Sequence, residues 1–372
     1  MMNRKINYIL LGLVIWFLLF LGWEWWKSYP LVKWNGATFP QTKEEKIDSL
    51  MLQSLQTFRL PGLVLGIVEN EKLIFLKSLG FADLKTKDSL KTSTPFPLAS
   101  ISKLATALTA SSYFRSQDIP LESTVNSILP EGKKLSAEFE SVTLADLLNH
   151  TSGLKDPKRL EQLFIQSENR ILRNLPGHLP IPELDKKPKN YADINYDLLG
   201  FVIESHAGIE FDQLAKEKIL KPSGMNRTEF NRTIHPSDHT PLKAYQPTFI
   251  WKRLEEKKTR FERFPSPSSG LISTGIDLGN AMIHFSRWDM GFIHKELEFL
   301  SGNQGVPSGF QEIQLSGYTF WGHFGEQGGY NGLFFFSKEL DRGIFLLTNS
   351  RDVKDHRFKI AEGVISILLS NP

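Results

Sequence analysis

"PLASISKLATALTA", residues 97–110, sets a serine and a lysine one helical turn apart in a stretch otherwise built of small and aliphatic residues. Leu104, Ala105 and Leu108 predict that this segment is buried, and a buried ammonium is costly unless it is paired or gives up its proton. On a helix, positions i and i+3 lie side by side, so Nζ of Lys103 can reach Oγ of Ser100. Burial then has a chemical use. Desolvation favours the neutral amine, which accepts a hydroxyl proton, whereas a retained charge stabilises a neighbouring anion. Ser-x-x-Lys also arises by chance, and a lysine stem lying along apolar surface has the same appearance.

Two further stretches bear on the choice. "NYADINYDLLG" (190–200) places Tyr191 just ahead of a predicted helix, and "GHFGEQGG" (322–329) places His323 at the end of a predicted strand. The glycines after it, Gly325 among them, allow a substrate backbone to approach closely. Taken singly, Tyr191 reads as a packing aromatic and His323 as an ordinary strand-end histidine. The ordered set Ser-x-x-Lys, Tyr, His-x-Gly is a much rarer combination.

Outward from this core, Thr42 reads as an N-cap with Glu45 at the capping-box position, followed by Ile47, Leu50, Met51, Leu55 and Phe58 at helical spacing. Strand-like runs at 63–69 and 72–80 flank Asn70-Glu71 as a hairpin. From about residue 117 to 265 the chain turns helical and loop-rich, with helices predicted at 144–153, 196–208 and 211–220. Residues 155–190 read as a mobile cover. Helix returns at 273–288, capped by Ser273 or Thr274; three strands follow at 318–325, 332–339 and 342–349, then a closing helix at 357–369. Strands at both ends and helices between them predict an α/β fold of the α+β type. An antiparallel sheet flanked by helices stands beside an all-helical lobe, with a ligand cleft between the two.

The bulk numbers exclude several classes. The 372 residues carry 44 basic against 41 acidic side chains, a net charge of +3 that gives no case for nucleic acid. "KKPK" at 186–189 is read as a solvated loop. With no cysteine there is no disulfide, thiolate nucleophile or cysteine metal site. No H-E-x-x-H or G-x-S-x-G occurs, and nothing implies a metal or organic cofactor.

The N-terminus reads as a membrane anchor. After residues 1–5, "INYILLGLVIWFLLFLGW" (6–23) carries no charge and is long enough, at about 1.5 Å per residue, to cross most of a hydrocarbon layer. Trp23, Trp25 and Trp26 follow as an interfacial belt, and Arg4 and Lys5 are expected to stay cytoplasmic. The segment ends in bulky residues without a small-x-small cleavage site, so an uncleaved signal anchor is favoured over a cleaved, secreted form. Residues 24–41 become a juxtamembrane linker and 42–372 an extracytoplasmic domain, periplasmic or on the cell surface. The expected partners are the lipid bilayer, through 6–23, and a small-molecule or peptide substrate.

On "PLASISK", "LADLLNHTSGL", "NYADINYDLLG", "LKPSGMNRTEF", "SSGLISTGIDLG" and "WGHFGEQGGY", in that order, residues 42–370 resemble the serine β-lactamase-like, penicillin-recognising hydrolases. The branch is that of class C β-lactamases, D,D-carboxypeptidases, D-aminopeptidases and related esterases. The resemblance implies Ser100 as the acylated nucleophile, Lys103 as its activator and Tyr191 as a second acid/base partner. It implies an oxyanion hole from the backbone N–H groups of Ser100 and Glu326. His323 and Gly325 fall on the substrate-binding strand, with His323 helping to bind a substrate carboxylate or polar tail, and His150 reads as a structural turn histidine satisfied by backbone carbonyls.

Two departures stand out. Asp193 occupies a position where the family often has an amide-bearing asparagine; it accepts hydrogen bonds only, and is expected to pair with Lys103, keep it protonated and shift the base role to Tyr191. His323 replaces a lysine, so anionic-substrate recognition is expected to weaken as pH rises through about 6.5. The implied function is acyl-enzyme hydrolysis of a peptide, amide or ester, a D-alanyl cell-wall peptide first among them. The alternatives are an esterase or β-lactamase of the same family or, from another class, an inactive binding or regulatory protein on the same fold.

Overall fold

The structure is a computed structural model that describes residues 2–33, 39–156, 172–184, 189–230, 242–257, 267–287, 291–302, 305–352 and 354–370. In chain order, α1 (Met2–Trp26) and α2 (Lys43–Thr57) precede the hairpin β1 (Gly62–Glu69) and β2 (Lys72–Asp83). The short strands β3 (Asp88–Ser89) and β4 (Phe96–Pro97) lead into α3 (Ser102–Ser116). Next come α4 (Val125–Ile128), α5 (Leu144–Asn149), α6 (Ile194–Ala207) and α7 (Phe211–Ala215). Short strands β5 (Glu229–Phe230), β6 (Tyr245–Pro247), β7 (Leu254–Glu256) and β8 (Leu271–Ser273) follow. The chain closes with α8 (Gly275–Ser286), α9 (Phe292–Ser301), β9 (Gln311–Leu315), β10 (Tyr318–Gln327), β11 (Tyr330–Ser337), β12 (Arg342–Thr348) and α10 (His356–Leu369).

The main sheet has the order β3-β2-β1-β12-β11-β10-β9, all antiparallel. Strands from the two ends of the chain meet at its centre, where Leu63 lies opposite Thr348. The period of two sorts side chains between two cores. Leu63, Leu65, Ile67, Leu333, Phe335, Ile344 and Leu346 pack with α2 and α10. Val64, Val68, Phe334, Phe336, Phe345 and Leu347 join the larger core shared with α3, α6 and α8. Both faces are covered, which is why these strands read as nearly unbroken apolar runs.

The capping box of Thr42 and Glu45 forms as expected, Thr274 caps α8, and α6 ends at Gly208 in the left-handed conformation. Some readings need correction. The helix expected over 211–220 is α7 continued by a π-helical turn, Lys216–Leu220. Neither α9 nor the edge strand β9 was anticipated. β10 runs on to Gln327, so His323 sits within the strand and not at its end. Of the expected mobile cover at 155–190, residues 157–171 and 185–188 lie outside the described residues, and with them most of "KKPK". Within α1, Lys5–Trp26 is long and apolar enough to cross a membrane, with a mean hydropathy of 2.1.

Candidate active site

Ser100 lies in a 3₁₀ turn, Ala99–Ile101, immediately before α3. Ala99 adopts φ of 49°, a left-handed conformation unusual for a residue with a Cβ. Neighbours hold the turn in place. Leu98 N–H donates to the Leu271 carbonyl at 2.8 Å, and the Ser102 hydroxyl donates to the Ala99 carbonyl at 2.6 Å while accepting from Leu271 N–H at 2.9 Å. On the other side lies β10. A Cβ on Gly325 would fall 2.2 Å from the Leu98 carbonyl oxygen and 3.1 Å from Ser100 N, so the strand reaches the turn only because residue 325 has no side chain. The close approach enabled by Gly325 is therefore to the Ser100 turn. Its carbonyl accepts from Arg357 Nη1 at 2.9 Å, and the neighbouring Glu326 carboxylate lies 3.6 Å from the same guanidinium and 3.8 Å from that of Arg351.

Lys103, on the first turn of α3, is 0% exposed. Its Nζ donates to Ser100 Oγ at 3.2 Å, Asp193 Oδ1 at 2.6 Å and the Ser268 carbonyl at 3.0 Å, one acceptor for each ammonium N–H. Each acceptor is itself held. Ser268 N–H donates to Asp197 Oδ1 at 3.0 Å, and the Pro267 carbonyl accepts from Thr106 Oγ1 at 2.6 Å. At the start of α6, the N–H groups of Asp193 and Ile194 each reach the Asp156 carboxylate at 3.0 Å. The anticipated pairing of Asp193 with Lys103 is thus present as an ion pair.

Tyr191 is 45% exposed, with its ring centroid 4.9 Å from Lys103 Nζ. Its ring also lies 4.5 Å from that of His150 and 6.1 Å from that of His323. His150 Nδ1 accepts from Ala192 N–H at 3.3 Å and faces Asn195 Nδ2 at 3.2 Å, and Ser152 Oγ binds Asn195 Oδ1. His150 therefore braces the loop carrying Tyr191 as an acceptor; the expected carbonyl partners are replaced by donors. Burial, reinforced by the Lys103 charge, lowers its pKa to about 4.

His323 is 2% exposed, and its Nδ1 lies 2.6 Å from the Phe324 carbonyl, a contact that places the ring proton on that nitrogen. Burial first, then the Lys103 charge, lowers its pKa to about 3. The expectation of a charge change near pH 6.5 is overturned: the ring is dry, lies near an ammonium and stays neutral. The Ser268 carbonyl, Asp156, Asp197 and Arg357 were not singled out from sequence. Ser268 contributes through its backbone, and the other three act on partners far away in the chain, so no local pattern marks them. Among the described residues, no group of three or more His, Cys, Asp or Glu is placed to hold a metal ion.

A serine-bearing turn, a buried lysine and a strand edge pressed against them thus meet at one place in the fold. Residues 47–365 match the Beta-lactamase family, and the chain belongs to it. It is 27% identical to Protein flp of Staphylococcus aureus (strain MW2) over 239 residues, 63% of this chain and 47% of that one. It is 29% identical to Penicillin-binding protein 4* of Bacillus subtilis (strain 168) over 210 residues, 54% of this chain and 45% of that one. The matches span about half the length of these relatives.

Among solved structures, the octameric penicillin-binding protein homologue from Pyrococcus abyssi covers 88% of this chain and 78% of its own, with a TM-score of 0.72 at 22% identity. D-amino acid amidase from Ochrobactrum anthropi SV3 covers 88% of this chain and 99% of its own, with a TM-score of 0.71 at 15% identity. Class C beta lactamase from Rhodobacter sphaeroides covers 87% and 99%, with 0.69 at 15%. At these identities the likeness is one of fold.

Proposed function

We propose that this chain is a membrane-anchored serine hydrolase that works through an acyl-enzyme on Ser100, with a peptide, amide or ester bearing a D-alanyl group as substrate. The observation that carries the reading is the buried Lys103 Nζ shared between Ser100 Oγ and Asp193. In this reading Ser100 Oγ attacks the carbonyl carbon, and the Oγ–C bond forms as the hydroxyl proton leaves. With Lys103 ion-paired to Asp193, Tyr191 takes the proton in its phenolate form and becomes the phenol, and the lysine charge stabilises the developing charge on Oγ. The backbone N–H groups of Ser100 and Glu326 receive the negative oxygen of the tetrahedral intermediate. The same proton goes to the departing amine or alcohol as its bond to carbon breaks. Water then adds to the ester, the Oγ–C bond breaks, and the acid leaves with Ser100 restored.

The D-alanyl assignment draws on relatives whose names refer to penicillin binding and D-amino acid amides, and on the reading of α1 as a membrane anchor with the following domain outside the cytoplasm. It is tested by kcat/KM on D-Ala-D-Ala peptides, p-nitrophenyl esters and a chromogenic cephalosporin, with the Ser100→Ala protein as blank. Peptide or ester turnover at least about 100-fold above the blank, with weaker cephalosporin turnover, is expected. Turnover equal to the blank on every compound would favour the inactive binding protein, for which the Lys103–Asp193 pair would be a lock.

A further inference from the structure

The last turn of α1 is built into the β6–β7 hairpin. Glu24 is 2% exposed, and its carboxylate accepts from the backbone N–H groups of Phe249, Ile250 and Trp251 at the hairpin tip. Trp251 Nε1 donates to the Leu21 carbonyl at 3.1 Å. The Arg253 guanidinium lies 4.0 Å from the centre of the Trp25 ring and donates to Ser28 Oγ at 2.8 Å. Tyr29 N–H then bonds the Leu254 carbonyl at 2.7 Å. A buried carboxylate satisfied by three backbone donors of another element ties helix and hairpin together. The tip still presents apolar surface: Phe249 is 75% exposed, near the exposed rings of Trp25 and Trp251.

Between this helix end and the hairpin lies a cavity of about 550 Å³. Lys27, Arg59, Lys252, Arg351 and Lys354 line it, against two acids, Glu24 and Glu255. Both acids are engaged, Glu24 by the tip and Glu255 by Lys27 at 2.5 Å. Arg59, Lys252 and Lys354 have no acidic partner among the described residues. Phe20, inside the apolar stretch of α1, and Phe249 add apolar surface to the wall.

Uncompensated cations at the foot of an apolar helix, beside aromatic side chains of interfacial type, are the surroundings an anionic headgroup seeks while its acyl chains follow the helix. We propose that this cavity holds the headgroup of an anionic phospholipid, with Phe249 and Trp251 seated in the membrane interface beside α1. The proposal rests on the reading of α1 as a membrane span.

The test uses the full chain in nanodiscs of phosphatidylcholine alone or mixed with phosphatidylglycerol. The mixed discs should raise Tm by about 2–4 °C, and the rise should vanish in the triple variant Arg59→Gln, Lys252→Gln, Lys354→Gln. An equal Tm in both discs, or a rise that survives in the triple variant, overturns the site. Inorganic phosphate added to phosphatidylcholine discs should leave Tm unchanged; a rise matching that of the lipid would assign the cavity to a free anion and overturn the lipid assignment. Because the chain has no cysteine, Phe249→Cys accepts a single nitroxide label. Stronger relaxation by oxygen than by a water-soluble nickel chelate supports interfacial seating, and the reverse overturns it. A chain that stays in the bilayer but ignores lipid charge fails the site alone. A chain stripped from vesicles by alkaline carbonate fails the span and the proposal with it.

Discussion

Lys103 meets Ser100, Asp193 and the Ser268 carbonyl at once, and the shortest of these contacts is to the carboxylate. Asp193 is the counterion of a fully buried lysine, so Asp193→Asn should lower the melting temperature, at a cost of about 3–5 kcal/mol, and slow acylation. Native-like melting and acylation in Asp193→Asn would contradict this role for Asp193. Replacing the amine outright, Lys103→Met, should cost about 10²–10⁴ in acylation rate. Neutral His323 leads to a different expectation: kcat/KM for an anionic substrate should show no histidine inflection near pH 6.5, because its pKa is lowered to about 3. Ser100, Lys103, Tyr191 and Asp193 were legible because their side chains stand in short local patterns. The state of His323 was not, since burial is set by strands and loops brought together from elsewhere in the chain.

At the scale of elements, the approach of β10 to the Ser100 turn depends on one missing side chain. Gly325→Ala would drive a methyl into two backbone atoms of the Ser100 turn, Leu98 O and Ser100 N, neither of which can rotate away. We expect soluble protein with acylation reduced by at least about 100-fold, since a displaced oxyanion donor alone carries a factor of that size; near-native acylation would show that the strand does not position the site. At the start of α2, Thr42→Ala removes one half of an observed capping box and should lower stability by about 1 kcal/mol in denaturant titrations, without effect on acylation. Hairpins and caps of this kind announce themselves in sequence, because turn residues and hydroxyl caps are local signals. Edge strand β9, "QEIQL", does not: only Leu315 is fully buried, so the strand owes its existence to pairing with β10 and not to its own composition. The Ser100 turn was read as helix because its left-handed Ala99 is imposed by packing against β8 and β10 and has no glycine to mark it.

Across the whole molecule, the sheet closes by joining β1 to β12, a pairing that apolar runs at both ends of the chain foreshadow without specifying the register. The same packing buries His150 and His323 between the sheet and the helical region, with pKa values lowered to about 4 and about 3. Both folded values lie below the unfolded value of about 6.5, so acid favours the unfolded chain, which binds protons that the folded one refuses. Their contribution to stability is complete above about pH 6.5 and is lost progressively as pH falls towards these folded values. Thermal melts should therefore drop by roughly 5–10 °C between pH 7 and pH 4.5, and His323→Gln should flatten that slope. An unchanged slope would place the acid sensitivity elsewhere. All of these relations converge on one atom, the hydroxyl oxygen of Ser100. Intact-protein mass spectrometry with peptide mapping, after exposure to a β-lactam or an activated acyl ester, reads it directly. The account predicts a single acyl adduct on Ser100 that is absent from Ser100→Ala and slow to form in Lys103→Met; an adduct on another residue, or one that persists in Ser100→Ala, would contradict it.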